Sequence, residues 1–302
     1  MITILGSINL DLIARVERLP QPGETVPGDA FSTAPGGKGA NQALAAARAG
    51  GCVRMVGAVG RDAFAQEALA LLREGGVNLS AVKTCDTATG TAMILVDGKG
   101  ENVIAVIPGA NGQVTPQDAA QAAFRAGEFV LLQHEVPLAA VKTALEAARA
   151  AGAISLLNTA PFHREAATFL SLADYVIANE TEFDRYAEAL ALGGTDREAR
   201  MRAFAQATGR TIVVTLGARG VVAATQERFL RVPSLAITPV DTVGAGDTFC
   251  GYLAAGLAEG RTLEEACAMA AAAGALACLK PGAQPAIPER AAVDAALAKA
   301  AP

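Results

Sequence analysis

Gly244-Ala245-Gly246-Asp247 has the residue types and order that in-line phosphoryl transfer to a hydroxyl requires. Glycines carry no side chain, so an anion can approach the backbone closely. The alanine-rich run 247–258 reads as a helix. Its first N–H groups have no intrahelical partner, and its dipole favours negative charge at that end. Asp247 stands at this mouth, where the dipole is expected to keep its carboxyl ionised and fit to take a proton from an alcohol. A carboxylate base beside an anion hole is what moving a phosphoryl group onto that alcohol needs. The same residues also read as a glycine-rich turn with an aspartate capping a helix, so the rest of the chain has to decide.

The chain of 302 residues is long enough for one large α/β domain, or for a core with a smaller appendage. It is 52% hydrophobic, but much of that is alanine and no apolar run has membrane-spanning length. The nearest, 266–279, is short and glycine-interrupted, and reads as a core helix. The N-terminus enters a strand pattern with no basic leader, so no secretory signal is expected. A net charge of −5 gives no support for a nucleic-acid surface. Cys52, Cys85, Cys250, Cys267 and Cys278 are scattered with no C-x-x-C pair, and are expected as reduced thiols. With only His134 and His163 beside them, no zinc site follows. A cytoplasmic protein whose own side chains hold no metal is the expectation.

Residues 2–5 form an apolar run ending in Gly6-Ser7, the profile of a buried parallel strand, with Asn9 and Asp11 directly after it. Open α/β sheets place ligands just past the carboxyl ends of strands; an Asx turn is the plainer reading. Residues 12–33 alternate apolar and polar, with Pro20, Pro22-Gly23 and Pro27-Gly28 as turns, and read as short antiparallel strands. Then APGGKGANQA, 34–43, opens a helix over 39–49 with Gly37 and Lys38 at its start and Asn41 one turn in. Gly39 after Lys38 rules out a Walker A loop, so a neutral polyol or the transferring group suits this segment better than a triphosphate tail.

A strand over 53–59, a helix over 63–74 and a strand near Val82 follow. The alternating style returns over 87–106, around an Asp97-Gly98-Lys99-Gly100 turn. The two alternating stretches would make one small sheet inserted into a parallel core and able to cover the site as a lid. Beyond 119, strands at 129–133, 154–158, 175–178, 211–215 and 221–225 alternate with helices at 138–151 and 180–191 and helices opening at Asp247 and Leu263. That is the rhythm of a doubly wound sheet. Polar groups end several of these strands: Gln133-His134-Glu135, Asn158, Asn179 to Glu182, and Thr215-Leu216-Gly217. Together they point to one shared crevice.

With these pieces placed, the chain resembles the ribokinase/PfkB family of sugar kinases from end to end. GGKGAN at 36–41 and DTVGAGDTF at 241–249 match the two family signatures in order and spacing, and GSINLD, LPQPGET and GENVI match its ribokinase branch. The resemblance implies a Rossmann-like αβα core with a mostly parallel sheet (1–10, 36–86 and 108–302) and a small β-sheet lid (11–35 and 87–107) that doubles as a homodimer clasp. It implies ATP-dependent phosphorylation of the 5-hydroxyl of ribose. Asp247 would be the base, and Gly244, Ala245 and Gly246 the anion hole. Asn9, Asp11, Gly37, Lys38 and Asn41 match sugar-binding positions, with Glu135 at the anomeric side. Ionised carboxylates and amides suit vicinal hydroxyls, and such a pocket rejects analogues lacking them.

Asn179 and Glu182 match an N-x-x-E motif whose Glu organises hydrated Mg²⁺ on the ATP phosphates. Thr215, Gly217, Gly220 and Gly246 match the nucleotide side. Asp241, Val243, Ala277, Lys280 and Gly282 match a loop for an activating K⁺. Two positions depart from the pattern: His134 replaces an apolar residue, as a spectator or pocket-edge group, and Ala286 replaces a serine that offers the cation a hydroxyl. Deoxyribose, another pentose or a nucleoside is the alternative substrate. A non-catalytic sensor of sugar or nucleotide is a different class, against which Asp247 with both its glycines argues, since a binder needs no base.

Overall fold

The computed structural model describes residues 1–300. In chain order the strands are β1 (Ile2–Leu5), β2 (Asn9–Val16), β3 (Gly28–Gly36), β4 (Val53–Gly60), β5 (Asn78–Cys85), β6 (Gly90–Val96), β7 (Asn102–Ile107), β8 (Phe129–Leu132), β9 (Ile154–Asn158), β10 (Tyr175–Asn179), β11 (Thr211–Thr215), β12 (Val221–Ala224) and β13 (Phe229–Val232). Nine of them form one sheet in the order β13-β12-β11-β10-β9-β8-β1-β4-β5. It is parallel from β5 through β11, and the β12–β13 hairpin closes one edge antiparallel. The order reverses at β1, with β4 on one side and β8 on the other, and that reversal opens a crevice at the carboxyl ends. The remaining strands form a separate sheet, β3-β2-β6-β7.

The helices are α1 (Lys38–Arg48), α2 (Ala63–Ala68), α3 (Ala70–Glu74), α4 (Pro116–Gln121), α5 (Leu138–Ala151), α6 (Glu180–Ala189), α7 (Arg197–Thr208), α8 (Ala245–Ala258), α9 (Leu263–Ala277) and α10 (Arg290–Ala300). Strand side chains alternate between two cores. Ile4, Leu131, Ile177 and Val213 face α1, α8 and α9, while Leu5, Leu132, Val176 and Val214 face α5, α6 and α7. Alanines let the first layer sit close. In α8, a Cβ on Gly251 would lie 2.5 Å from the carbonyl oxygen of Gln42 on α1.

The structure corrects the sequence reading in several places. The helix expected over 63–74 breaks at Leu69 into α2 and α3. Neither α7, α10 nor β13 was anticipated: α7 is highly charged and buries only Met201, Phe204 and Ala205, so its apolar stripe is faint. Helix α8 starts two residues before Asp247, with Gly244 as its N-cap. Asp247 therefore sits in the first turn and caps nothing.

Candidate active site

The segments after β1 and β8 meet the first turns of α1 and α8 at the carboxyl ends of the parallel strands. After β1, Ser7 donates to Glu135 Oε2 at 2.6 Å, and Glu135 follows β8, so the pair spans the point where the strand order reverses. The same carboxylate oxygen accepts the backbone N–H of Lys38 at 3.0 Å, the first residue of α1. Glu135 thus caps a helix whose own N-cap, Gly37, has no side chain to offer. Gly37 has φ 87, and a Cβ there would lie 2.7 Å from the backbone nitrogen of Asn9. The Gly-Gly pair ahead of Lys38 is what lets α1 begin against the β1–β2 connection.

Asp247 is 7% exposed, and both its oxygens are held by α1. Asn41 Nδ2 donates to Oδ2 at 2.9 Å and Gln42 Nε2 to Oδ1 at 3.0 Å. Burial pushes its carboxyl above the ordinary range, while the Lys38 ammonium, Asn41 and Gln42 pull it down and Glu135 pushes it up. The expectation that the helix dipole alone keeps it ionised is therefore corrected: desolvation is the largest influence, and Lys38 with two amides opposes it. The backbone around it also differs from the expected anion hole. Ala245 N–H donates to Thr242 O at 3.3 Å, whereas the N–H groups of Gly244, Gly246 and Asp247 meet no protein acceptor among the described residues.

Lys38 is held protonated, chiefly by Asp247 and then Glu135, against its own burial. Asp11, on β2, accepts no hydrogen bond from the described residues, and burial followed by repulsion from Glu135 and Asp247 raises its pKa to about 6. The sequence reading took this carboxylate as simply ionised; with two acids facing it, it titrates close to neutrality. Asn9 is buried, and its side-chain oxygen accepts Asn111 Nδ2 at 2.7 Å, leaving its own NH₂ free of protein partners among the described residues. Sequence reasoning brought Asn9, Asp11, Gly37, Lys38, Asn41, Glu135 and Asp247 together, and missed Ser7, Gln42 and Asn111. Ser7 lay inside GSINLD and Gln42 directly followed Asn41, so adjacency was the signal available; Asn111 had none.

Gly246 also lines a cavity of about 610 Å³ with Thr215, Gly217 and Gly220. Its far wall is apolar and was not foreseen: Leu235, Ile237, Phe249 and Cys278 contribute bulk rather than a motif. Asn179 and Glu182 are not in that wall. They form a reciprocal capping box on α6, Asn179 Oδ1 accepting Glu182 N at 2.8 Å and Glu182 Oε2 accepting Asn179 N at 3.0 Å. One carboxylate oxygen of Glu182 remains available to solvent or a hydrated ion. Among the described residues, no group of three or more His, Cys, Asp or Glu side chains forms a metal cage.

Asp241 joins two loops, Oδ1 accepting Val243 N at 3.0 Å and Oδ2 accepting Gly282 N at 2.8 Å. Ala277 ends α9, and position 281 is a proline, so its carbonyl has no N–H four residues on to accept. His134 is buried, with its pKa lowered to about 4 by desolvation, and its Nδ1 lies 3.2 Å from Pro161 O. It is a neutral core residue packed against Phe169 and His163.

A doubly wound core whose reversal point carries a buried carboxylate and free helix N–H groups beside a nucleotide-sized cavity defines a phosphotransferase that acts on an alcohol. Residues 1–290 match the pfkB family carbohydrate kinases, and the chain belongs to that family. It is 36% identical over 304 residues to the ribokinase of Lactococcus lactis, covering 98% of this chain and 96% of that protein. It is also 36% identical over 261 residues to a deoxyribokinase of Salmonella typhi, covering 84% of each. Among solved structures, the ribokinase of Arabidopsis thaliana complexed with ribose and ATP superposes with a TM-score of 0.85 at 31% identity, covering 98% of both chains.

Proposed function

We propose that this kinase phosphorylates the primary 5-hydroxyl of ribose from ATP. The observation that carries the reading is the place of Asp247: buried between amides, it adjoins the free N–H groups that open α8, with the cavity on one side and Asp11, Asn9 and Asn41 on the other. A sugar on the Asp11 side donates vicinal hydroxyls to the Asp11 carboxylate and accepts from the Asn9 NH₂, which leaves the primary hydroxyl to Asp247. Asp247 takes that proton as the oxygen attacks the terminal phosphorus. The N–H groups of Gly244, Gly246 and Asp247, with the Lys38 ammonium, face the charge on the transferred group. Thr215, Gly217 and Gly220 hold the nucleotide.

Two ions fit the donors present. Glu182 has one free oxygen and belongs to no cluster of three or more His, Cys, Asp or Glu side chains among the described residues, which suits Mg²⁺ held by phosphates and water rather than by a protein cage. The Ala277 carbonyl, which accepts no hydrogen bond from the described residues, and the Asp241 junction, with Val243, Lys280 and Gly282, suit a large, weakly hydrated K⁺, whose charge would add to the field at the anion hole. The smaller sheet acts as a lid. Register puts Ala92 and Val106 on the Asp11 face, with Ile94 and Ile104 further along it. Val106 and Ile104 are 55% and 51% exposed, a face that a second copy of the chain would cover. With ATP as donor and its cysteines free, the cytoplasm is its compartment.

The test is to incubate the protein with Mg·ATP and a panel of ribose, 2-deoxyribose, other pentoses and nucleosides, and to follow ADP release. Turnover led by ribose supports the reading, and turnover led by deoxyribose or a nucleoside moves it to the alternative. Nucleotide binding with no ADP from any alcohol would make the chain a sensor.

A further inference from the structure

Gln42 follows Asn41 on α1, and its side chain reaches the base. It is 0% exposed. Its Nε2 lies 3.0 Å from Asp247 Oδ1 and 3.3 Å from Asn158 Oδ1, at the end of β9, and Asn158 Nδ2 reaches the Ile177 carbonyl at 3.4 Å. Consecutive helical residues point about 100° apart, so Asn41 and Gln42 grip the two oxygens of Asp247 from different sides. The close approach depends on Gly251, one turn along α8 from Asp247. A Cβ there would meet Gln42 O at 2.5 Å and Ala45 Cβ at 2.6 Å.

Chemistry fixes which way the amide faces. A carboxylate only accepts, so a turned amide would set Oε1 against Oδ1. Gln42 Oε1 itself is buried with no partner among the described residues. An apolar side chain of the same length would fill the space without that cost. The polar end here meets Asp247 instead.

We propose that Gln42 is a positioning residue for phosphoryl transfer: its NH₂ stops rotation of the Asp247 carboxylate, keeps a lone pair on the acceptor hydroxyl and favours the ionised base. The proposal rests on Asp247 being that base. The charged groups facing Asp247 are Lys38 from α1, Glu135 from the loop after β8 and Asp11 from the smaller sheet; the Cys250 thiol, on α8 itself, is held neutral by burial. One cation thus stands against two acids, and Asn41 and Gln42 are the neutral side-chain donors to the carboxylate among the described residues. Losing either donor should make the base harder to ionise.

The experiment measures kcat against pH, with Mg·ATP and ribose, for wild type, Gln42→Met, Gln42→Glu and Asp247→Asn, alongside thermal melts. Gln42→Met keeps the length and removes the donor. Its kcat at pH 7 should fall about 10- to 100-fold, below the full loss of a general base. The acid limb of its profile should move up by about one pH unit, as expected when a hydrogen bond to the charged form is removed. KM for ribose and for ATP should stay within about threefold, because uniform binding is untouched. Gln42→Glu preserves size and polarity and carries the test if the methionine variant fails to fold. Its introduced acid donates to Asp247 when protonated and repels it when ionised, so its activity should decline as pH rises where wild type stays level. A folded Gln42→Met with wild-type kcat and an unmoved acid limb overturns the proposal, as does a rise in KM with kcat unchanged in both variants. Turnover retained by Asp247→Asn is a separate failure, since it removes the base assignment itself.

Discussion

Asn111 Nδ2 donates to the side-chain oxygen of Asn9 at 2.7 Å, while Asn111 also brackets the backbone of Ile8, accepting its N–H at 2.8 Å and donating to its carbonyl at 3.1 Å. Asn111 lies just past β7, where the chain returns from the smaller sheet to the core. One buried amide therefore ties that return to the connection between β1 and β2, and fixes the Asn9 amide with its NH₂ free of partners among the described residues. The return from the smaller sheet and the proposed sugar contact at Asn9 are thus held by one side chain.

Asn111→Ala should raise KM for ribose more than tenfold while kcat at saturation stays within about threefold, the pattern of lost uniform binding. Stability should drop by about 1–3 kcal/mol, because the Ile8 groups lose their partner. A double-mutant cycle with Asn9→Ala separates orientation from general loosening. If Asn111 acts through Asn9, its effect on ribose KM disappears in the Asn9→Ala background. Additive effects would show that it does not.

Asp11, a proposed sugar contact, is held where its charge is costly. Its pKa rises from the ordinary 3.8 to about 6 in the folded chain, first through burial and then through Glu135 and Asp247. The folded state therefore holds this proton more tightly than the unfolded chain. The stability it contributes is complete below about pH 4 and is lost as pH climbs through 6. Asp11→Asn should melt above wild type at pH 8 and show no such gain at pH 4. The ceiling is about 3 kcal/mol, at roughly 1.4 per pH unit, and solvent screening of this half-buried group lowers it. The same substitution should weaken ribose more than tenfold by calorimetry, and wild-type affinity should fall as pH drops below 6. An Asp11→Asn that melts no higher than wild type at pH 8 would show the carboxylate to be better satisfied than its neighbours suggest.

Position 286 tests the cation loop. Ala286 is 2% exposed in a short 3₁₀ turn, Gln284–Ala286, after the Gly282 that Asp241 holds. Activity should depend on K⁺, and Ala286→Ser should lower the half-saturating concentration by roughly 3- to 10-fold if one oxygen ligand contributes about 1 kcal/mol. The measurement is rate against K⁺ for both proteins in a buffer free of other alkali metals. Identical half-saturation would mean the side chain at 286 faces away from the ion, and indifference to K⁺ would leave the loop without one.

What was legible in the sequence follows from what each residue does. Positive φ and close backbone approach need glycine, as at Gly37 against Asn9 and at Gly244, so Gly36-Gly37 and the Gly244-Ala245-Gly246 turn announced themselves, and strands such as Ile2–Leu5 showed as short apolar runs. The residues that orient others were not legible. Gln42 and Asn111 act through amides that any turn or helix surface also carries, and only the approach of α1 to α8, or of the β7 return to Ile8, makes them partners. The Asp11 pKa depends on Glu135 and Asp247, which lie far along the chain and arrive only through the fold. The cavity wall at Leu235, Ile237 and Cys278 contributes shape alone, which leaves no motif.

The central claim is that Asp247 takes the proton of the sugar hydroxyl, and turnover of Asp247→Asn with Mg·ATP and saturating ribose tests it most directly. The variant keeps the shape of the side chain and should bind ribose and nucleotide as wild type does. Its kcat should fall by at least about 10²-fold, the scale on which a general base acts. Near wild-type kcat in a folded, ribose-binding Asp247→Asn would contradict the account.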